Sequence, residues 1–199
     1  MKTHPDLSLH SRAHMEAIKL GKEHFYLSSR NVKDEFKQLS DFEIKNKLKE
    51  TCFPYAVCFE HWIGDLNISS GIRNANAFNA KEVFYLGDKR WDRRGAVGTY
   101  NYTDVTFIPS IEELLKLKDK YTFIGIDNVS GSISVNSYDW KPNTLVFFGS
   151  EGVGLTPFIL EICDAIVHIE QFGSVRSLNC STASGIIMND IVSKFTRLL

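Results

Sequence analysis

Polar and apolar positions divide the chain near Pro54. Before it, apolar residues are scattered among charges and glycine is scarce. Leu7 to Leu20 and Val32 to Leu48 carry apolar residues at helical spacings, which predicts helices. Residues 1–53 are therefore expected to form a helical N-terminal extension, either a solvated cap or an arm that reaches a neighbouring subunit or a substrate. Residues 54–199 change rhythm, with short apolar runs alternating with helical stretches. Strands are predicted at Tyr55–Phe59, Val83–Leu86, Val105–Ile108, Tyr121–Ile126, Thr144–Phe148 and Ala165–Ile169. Helices are expected over 69–79, from Ser110 with a capping box to Glu113, from Thr156-Pro157, and from Cys180. This alternation predicts an α/β fold: a mainly parallel sheet with helices on both faces.

Two bends interrupt the last third. Phe148-Gly149-Ser150-Glu151-Gly152-Val153-Gly154-Leu155 follows one predicted strand, and Gly173-Ser174-Val175-Arg176-Ser177-Leu178-Asn179 follows another. Polar loops at the carboxyl ends of neighbouring strands are where open α/β sheets hold ligands. The first bend is not a standard phosphate cradle. Its order is Gly-x-x-Gly-x-Gly, no Gly-Lys-Ser/Thr follows, and Glu151 would repel an anion. That weighs against an unrelated nucleotide-binding protein.

The 199-residue chain, 43% hydrophobic, suits one folded domain with an appendage or one large domain, and no run approaches the length of a membrane span. No signal-peptide pattern opens it, so a cytoplasmic protein is expected. Cys52, Cys58, Cys163 and Cys180 lack metal-ligand spacing and read as buried thiols, and no metal is expected. A net charge of -1 excludes a diffusely basic nucleic-acid binder and leaves room only for a local patch. Lys89, Arg90, Arg93 and Arg94 around Trp91 form one, either an ordinary charged loop or cations for phosphates beside a stacking ring.

Other candidates have bland alternatives. In Asn67-Ile68-Ser69-Ser70-Gly71-Ile72-Arg73-Asn74-Ala75, small residues allow close helix packing, and Arg73, one turn into the helix, would serve a site or a surface salt bridge. Ser177 and Asn179 would cap a helix or orient a ligand. His168, within an apolar strand, reads as a satisfied core histidine, and no Ser-His-Asp set is present.

Taken together, three stretches resemble motifs of the SpoU/TrmH family of RNA ribose methyltransferases, in the SPOUT superfamily. Asn67 to Phe78 is similar to its Asn-x-Gly-x-x-x-Arg-x-Ala motif, with Ser69 in place of glycine. Phe148 to Leu155 matches Gly-x-Glu-x-x-Gly, and Ser177 to Ala183 matches Ser-Leu-Asn-x-Ser-x-Ala. Glu170-Gln171 departs from the usual Pro-Met. The resemblance covers roughly residues 54–197 and implies a C-terminal trefoil knot. It also implies S-adenosylmethionine held by Gly149, Ile169 and Leu178, with Ile126 and Asn128 lining the same pocket. Arg73, Ser177, Asn179 and Glu151 would be the catalytic set, and a homodimer would bring Arg73 or RNA contacts from the second subunit. The implied activity is 2′-O-methylation of RNA, with tRNA the first choice and rRNA the second. A non-catalytic RNA-binding relative is the remaining alternative.

Overall fold

The computed structural model describes residues 31–60, 65–87, 91 and 93–197. The chain forms two compact units, residues 1–39 and 40–199. In the first, a 3-10 turn spans Asp34–Phe36, and the helix expected over Leu7 to Leu20 lies outside the described residues. The helix expected over Val32 to Leu48 is interrupted. Ser40 starts a fresh helix, α1 (Asp41–Glu50), through a capping box with Glu43, so the local caps override the continuous apolar spacing.

The larger unit is built on one seven-stranded sheet: β1 (Phe53–Glu60), β2 (Ala80–Leu86), β3 (Val105–Ile108), β4 (Thr122–Ile126), β5 (Ile133–Ser134), β6 (Thr144–Phe148) and β7 (Ala165–His168). Their order is β3-β2-β1-β6-β4-β7-β5, and every pairing is parallel. Parallel neighbours need crossovers, which four further helices help to provide: α2 (Asp65–Ala77), α3 (Ile111–Leu115), α4 (Pro157–Ile162) and α5 (Cys180–Thr196).

The period-two alternation of each strand sorts its side chains between two cores. Tyr55, Val57 and Phe59 of β1 join Val146 and Phe148, packed under Ile68 and Ile72 of α2 and Ile187, Met188 and Ile191 of α5. Ala56 and Cys58 point the other way, with Leu145 and Phe147, under Leu114 of α3 and Ile159 of α4. Both faces are covered by helices, which is why the strands are apolar runs rather than alternating ones.

Helix starts follow their caps. Thr156 accepts from Ile159 N and Pro157 occupies the first turn of α4. Ser110 accepts from Glu113 N, but Glu113 does not complete the expected box; its carboxylate pairs with Lys116 one turn on. The α2 start moves from 69 to Asp65, so Arg73 sits in the second half of that helix rather than one turn in.

The path that leaves β4 is tied to α5. Trp140 Nε1 donates to Asp190 at 2.7 Å, and Lys194 Nζ donates to the carbonyls of Val135 and Tyr138 at 2.6 and 2.9 Å. This fixes the long connection between β4 and β6 against the C-terminal helix.

Candidate active site

The carboxyl ends of β4, β6 and β7 open into one cavity of about 880 Å³. Ile126, Asn128, Gly149, Ile169 and Leu178, the residues expected to hold a cofactor, all stand on its wall. So do Glu151, Ser177 and Asn179. Arg73 does not: it is exposed on α2, and its side chain makes no hydrogen bond or salt bridge among the described residues. Of the basic patch, Lys89 and Arg90 lie outside the described residues. Trp91 is half-buried, meeting Tyr100 edge-on with ring centroids 6.2 Å apart. The Arg93 guanidinium lies 5.0 Å from the Tyr100 centroid and 5.9 Å from that of Trp91. Arg94 is exposed in the next 3-10 turn.

The Gly149 bend closes on itself. Ser150 and Gly154 exchange two backbone hydrogen bonds of 3.0 Å. A side chain at Gly149 would bring its Cβ to 2.1 Å from the Gly154 carbonyl carbon, so only glycine permits this closure. Gly154 adopts a φ of 75°, and a Cβ there would meet Asp127 Oδ2 at 2.5 Å. Asp127, at the end of β4, clamps the bend: Oδ2 accepts from Leu155 N at 2.9 Å and Oδ1 from Asn128 N at 2.7 Å. Glu60, buried at the end of β1, accepts from Thr156 N at 2.9 Å and from the Thr156 hydroxyl. Neither acid was singled out from the sequence. The available signal was an acidic residue directly after an apolar strand that leads to the site.

Asn179 draws three separate stretches together. Its Oδ1 caps α5, accepting from Ser181 N at 3.0 Å and Thr182 N at 3.1 Å. Its Nδ2 donates to Asn67 Oδ1 at 3.0 Å and to Glu151. One amide therefore caps a helix, reaches back to the start of α2 and holds the Gly149 bend. Asn74 Nδ2 reinforces the helix pair, donating to Ser181 O at 2.8 Å and Ser184 Oγ at 3.1 Å. The small Gly185 lies against that same amide, so α2 and α5 approach closely.

The rest of the wall is mixed. Burial, with the Glu151 carboxylate beside it, pushes the Cys180 thiol up to about 12. His168 is half-buried on the wall rather than enclosed in the core. Its Nδ1 lies 2.9 Å from Ser132 Oγ, which also lies 2.6 Å from Val129 O. Glu170 turns aside to accept from Asn136 Nδ2 at 2.7 Å. Among the described residues, no cluster of histidine, cysteine and carboxylate side chains is placed to hold a metal ion. Among them too, no helix is long and apolar enough to cross a membrane.

A cavity of this size suits a compact organic ligand. Ile126, Ile169 and Leu178 offer apolar surface, the tight bends expose backbone groups, and Asp127 and Glu151 place acidic side chains where a cation is better received than a phosphate.

Comparison with known proteins points the same way. Residues 55–189 match the SpoU rRNA Methylase family. The chain is 32% identical over 75 residues to a tRNA (guanosine(18)-2′-O)-methyltransferase of Saccharomyces cerevisiae, a match covering 37% of this chain and 5% of that protein. It is 34% identical over 98 residues to a 23S rRNA (guanosine-2′-O-)-methyltransferase of Bordetella pertussis, covering 49% of this chain and 39% of the relative. The chain thus spans well under two thirds of these curated relatives. Among solved structures, the SpoU methyltransferase AviRb of Streptomyces viridochromogenes, crystallised with its cofactor AdoMet, superposes with a TM-score of 0.66 at 26% identity, over 71% of this chain and 57% of that one. The A. aeolicus TrmH/SpoU tRNA modifying enzyme shares the fold, with a TM-score of 0.71 at 20% identity over 79% of this chain and 83% of its own.

Proposed function

The chain belongs to the SpoU rRNA Methylase family, and from that premise we propose that it methylates a ribose 2′-hydroxyl of RNA at the expense of S-adenosylmethionine. The observation that carries this reading is the Asn67–Asn179–Glu151 contact, which gathers all three motif stretches at the rim of one ligand-sized cavity. The two curated relatives named above act on tRNA and on 23S rRNA. Transfer RNA is the first substrate in this reading and ribosomal RNA the second.

Bound in the cavity, S-adenosylmethionine supplies an electrophilic methyl group, and the chain must do the rest. Ile126, Ile169 and Leu178 form the apolar slot for adenine, while the closed Gly149 bend and Asn128 present polar groups at its edge. The carboxylates of Asp127 and Glu151 favour the cationic donor over its neutral product, S-adenosylhomocysteine. Holding donor and hydroxyl in line supplies much of the acceleration.

The hydroxyl must lose its proton as the new carbon–oxygen bond forms. Arg73 is a poor base, since guanidinium stays protonated. It instead holds the neighbouring phosphate and stabilises developing charge on the ribose oxygen, while a phosphate oxygen or water takes the proton. Ser177 orients the ribose beside it. Arg73 lies outside its own protomer's cavity wall, so a homodimer would deliver it from the second copy. Phe172, Val175 and Val153, apolar and 92%, 61% and 77% exposed on the loops of the site, supply surface for that partner.

The test is methyl transfer from radiolabelled S-adenosylmethionine to total tRNA and, separately, ribosomal RNA. A 2′-O-methyl group blocks alkaline cleavage, so the label should appear in alkali-resistant dinucleotides. Label at a base would overturn the ribose assignment, and cofactor binding without transfer to either RNA would favour a non-catalytic RNA-binding relative.

A further inference from the structure

Helix α2 is fastened on two sides. On one, Asn74 donates to Ser181 O and Ser184 Oγ of α5, the helix that leads away from the cavity. On the other, Asn76 Nδ2 donates to Thr103 Oγ1 at 3.1 Å, Thr103 Oγ1 to Thr99 O at 2.9 Å, and Thr99 Oγ1 to Ala96 O at 2.7 Å. These hydrogen bonds in series dock two 3-10 turns, Arg94–Ala96 and Thr99–Asn101, against the helix. At about 100° per residue, Arg73 lies roughly 60° around α2 from Asn76 and about 100° from Asn74. Its side chain therefore leaves the helix on the side of the turns rather than on the side of α5. That is why it misses the cavity wall of its own chain.

The docked turns carry cations of their own. Arg93 precedes the first turn and Arg94 opens it, and both are exposed. The Arg93 guanidinium is braced by two rings, 5.0 Å from the centroid of Tyr100 and 5.9 Å from that of Trp91. Neither ring is free to drift: Trp91 packs against the core beneath α2, and Tyr100 belongs to the second docked turn. A guanidinium held by its face keeps the N–H groups in its plane for another partner. Among the described residues no carboxylate pairs with Arg73 or Arg93. In a chain of net charge -1, two such guanidiniums on one side of one helix mark a local surface for an anion.

We propose that Arg73 and Arg93 are two stations of one RNA track, in which Arg93, braced by Tyr100 and Trp91, holds a backbone phosphate of the strand whose ribose Arg73 serves. The inference rests on the RNA methyltransferase reading. A strand that reaches Arg73 runs along the side of α2 where the turns are docked, and a planar fork of N–H donors matches a phosphate. Tyr100 is a positioning residue, acting on RNA only through the guanidinium it holds. Arg94 adds charge to the same turn.

The experiment is retention of unfractionated tRNA, and in parallel of ribosomal RNA, on filters by the protein with S-adenosylhomocysteine present, over a range of salt. Arg93→Gln should weaken binding about tenfold near 0.1 M salt and flatten the slope of log affinity against log salt by roughly 0.7 to 0.9, the loss of one phosphate contact. Its affinity for S-adenosylhomocysteine should not change. Arg93→Lys keeps the charge and should keep the wild-type slope. Tyr100→Leu should weaken RNA binding in wild type and add nothing in Arg93→Gln. Lys116→Ala removes the same charge just after α3, on the other face of the sheet, and should leave RNA affinity and slope as they are. An unchanged slope in Arg93→Gln, a loss no greater than that of Lys116→Ala, or a matching loss of S-adenosylhomocysteine affinity overturns the inference and leaves the methyltransferase reading standing. Wild type that retains neither RNA overturns that reading and this inference with it.

Discussion

Asn179 Nδ2 donates to Asn67 Oδ1 at 3.0 Å, joining positions 112 apart in the chain, while its own oxygen caps α5. The two duties can be separated by substitution. Asn179→Asp keeps a capping oxygen but loses the amide donor and sets a carboxylate beside Glu151. The C-terminal helix should stay intact by circular dichroism while S-adenosylhomocysteine binding falls by an order of magnitude or more. Asn179→Ala should lose the cap as well, lowering stability by about 1 kcal/mol in urea unfolding. Unchanged affinity in the aspartate variant would show that the bridge does not shape the cavity.

The bend at Gly149 has no space to give. Gly149→Ala sets Cβ at 2.1 Å from backbone, which cannot swing aside as a side chain would. We expect a loss of about 1–3 kcal/mol in denaturant titration together with loss of cofactor binding. Gly173→Ala is the control: it lies in the second bend with nothing within 4 Å of its Cβ. Its stability should stay within about 0.5 kcal/mol of wild type.

Arg73 tests the chemistry rather than the fold. Arg73→Lys keeps a charge and loses the planar fork, so kcat should fall roughly ten- to a hundredfold with cofactor affinity unchanged. The pH–rate profile should keep its shape, because neither side chain is the base. A profile whose alkaline limb moves in the lysine variant would make residue 73 the titrating group, and full activity would remove any specific guanidinium role.

Cys180 gives a pH dependence with a defined sign. Burial, then Glu151, raise its folded pKa to about 12, against about 8.5 for an unfolded thiol. Below that lower value the thiol is neutral in both states and its contribution to stability is complete. Above it the unfolded state ionises first, so the contribution declines between about pH 8.5 and 12. The stability advantage of wild type over Cys180→Ala should therefore shrink from pH 8 to pH 10.5 in urea unfolding. An advantage independent of pH over that range would contradict the raised value.

The strands were legible because a sheet buried on both faces demands unbroken apolar runs, and Val105–Ile108 and Thr144–Phe148 emerge as β3 and β6 with the same limits. Thr156-Pro157 and Asn179 announced their helices because capping is local chemistry written in adjacent residues. The break at Ser40 was equally local, yet a reading by apolar spacing ran through it. The carboxylates of Asp127 and Glu60 stayed hidden, since their partners are 28 and 96 positions away and no periodicity encodes such a distance.

By itself, then, the sequence determined a parallel α/β sheet, its two polar bends and the motif residues, all of which depend on neighbours within a few positions. Only the tertiary structure decided that Asn67, Glu151 and Asn179 meet, and that Arg73 stands outside the cavity wall of its own chain. Strand order and helix crossing set those relations, and both arise from packing the two cores against each other across the sheet rather than from any single stretch of chain.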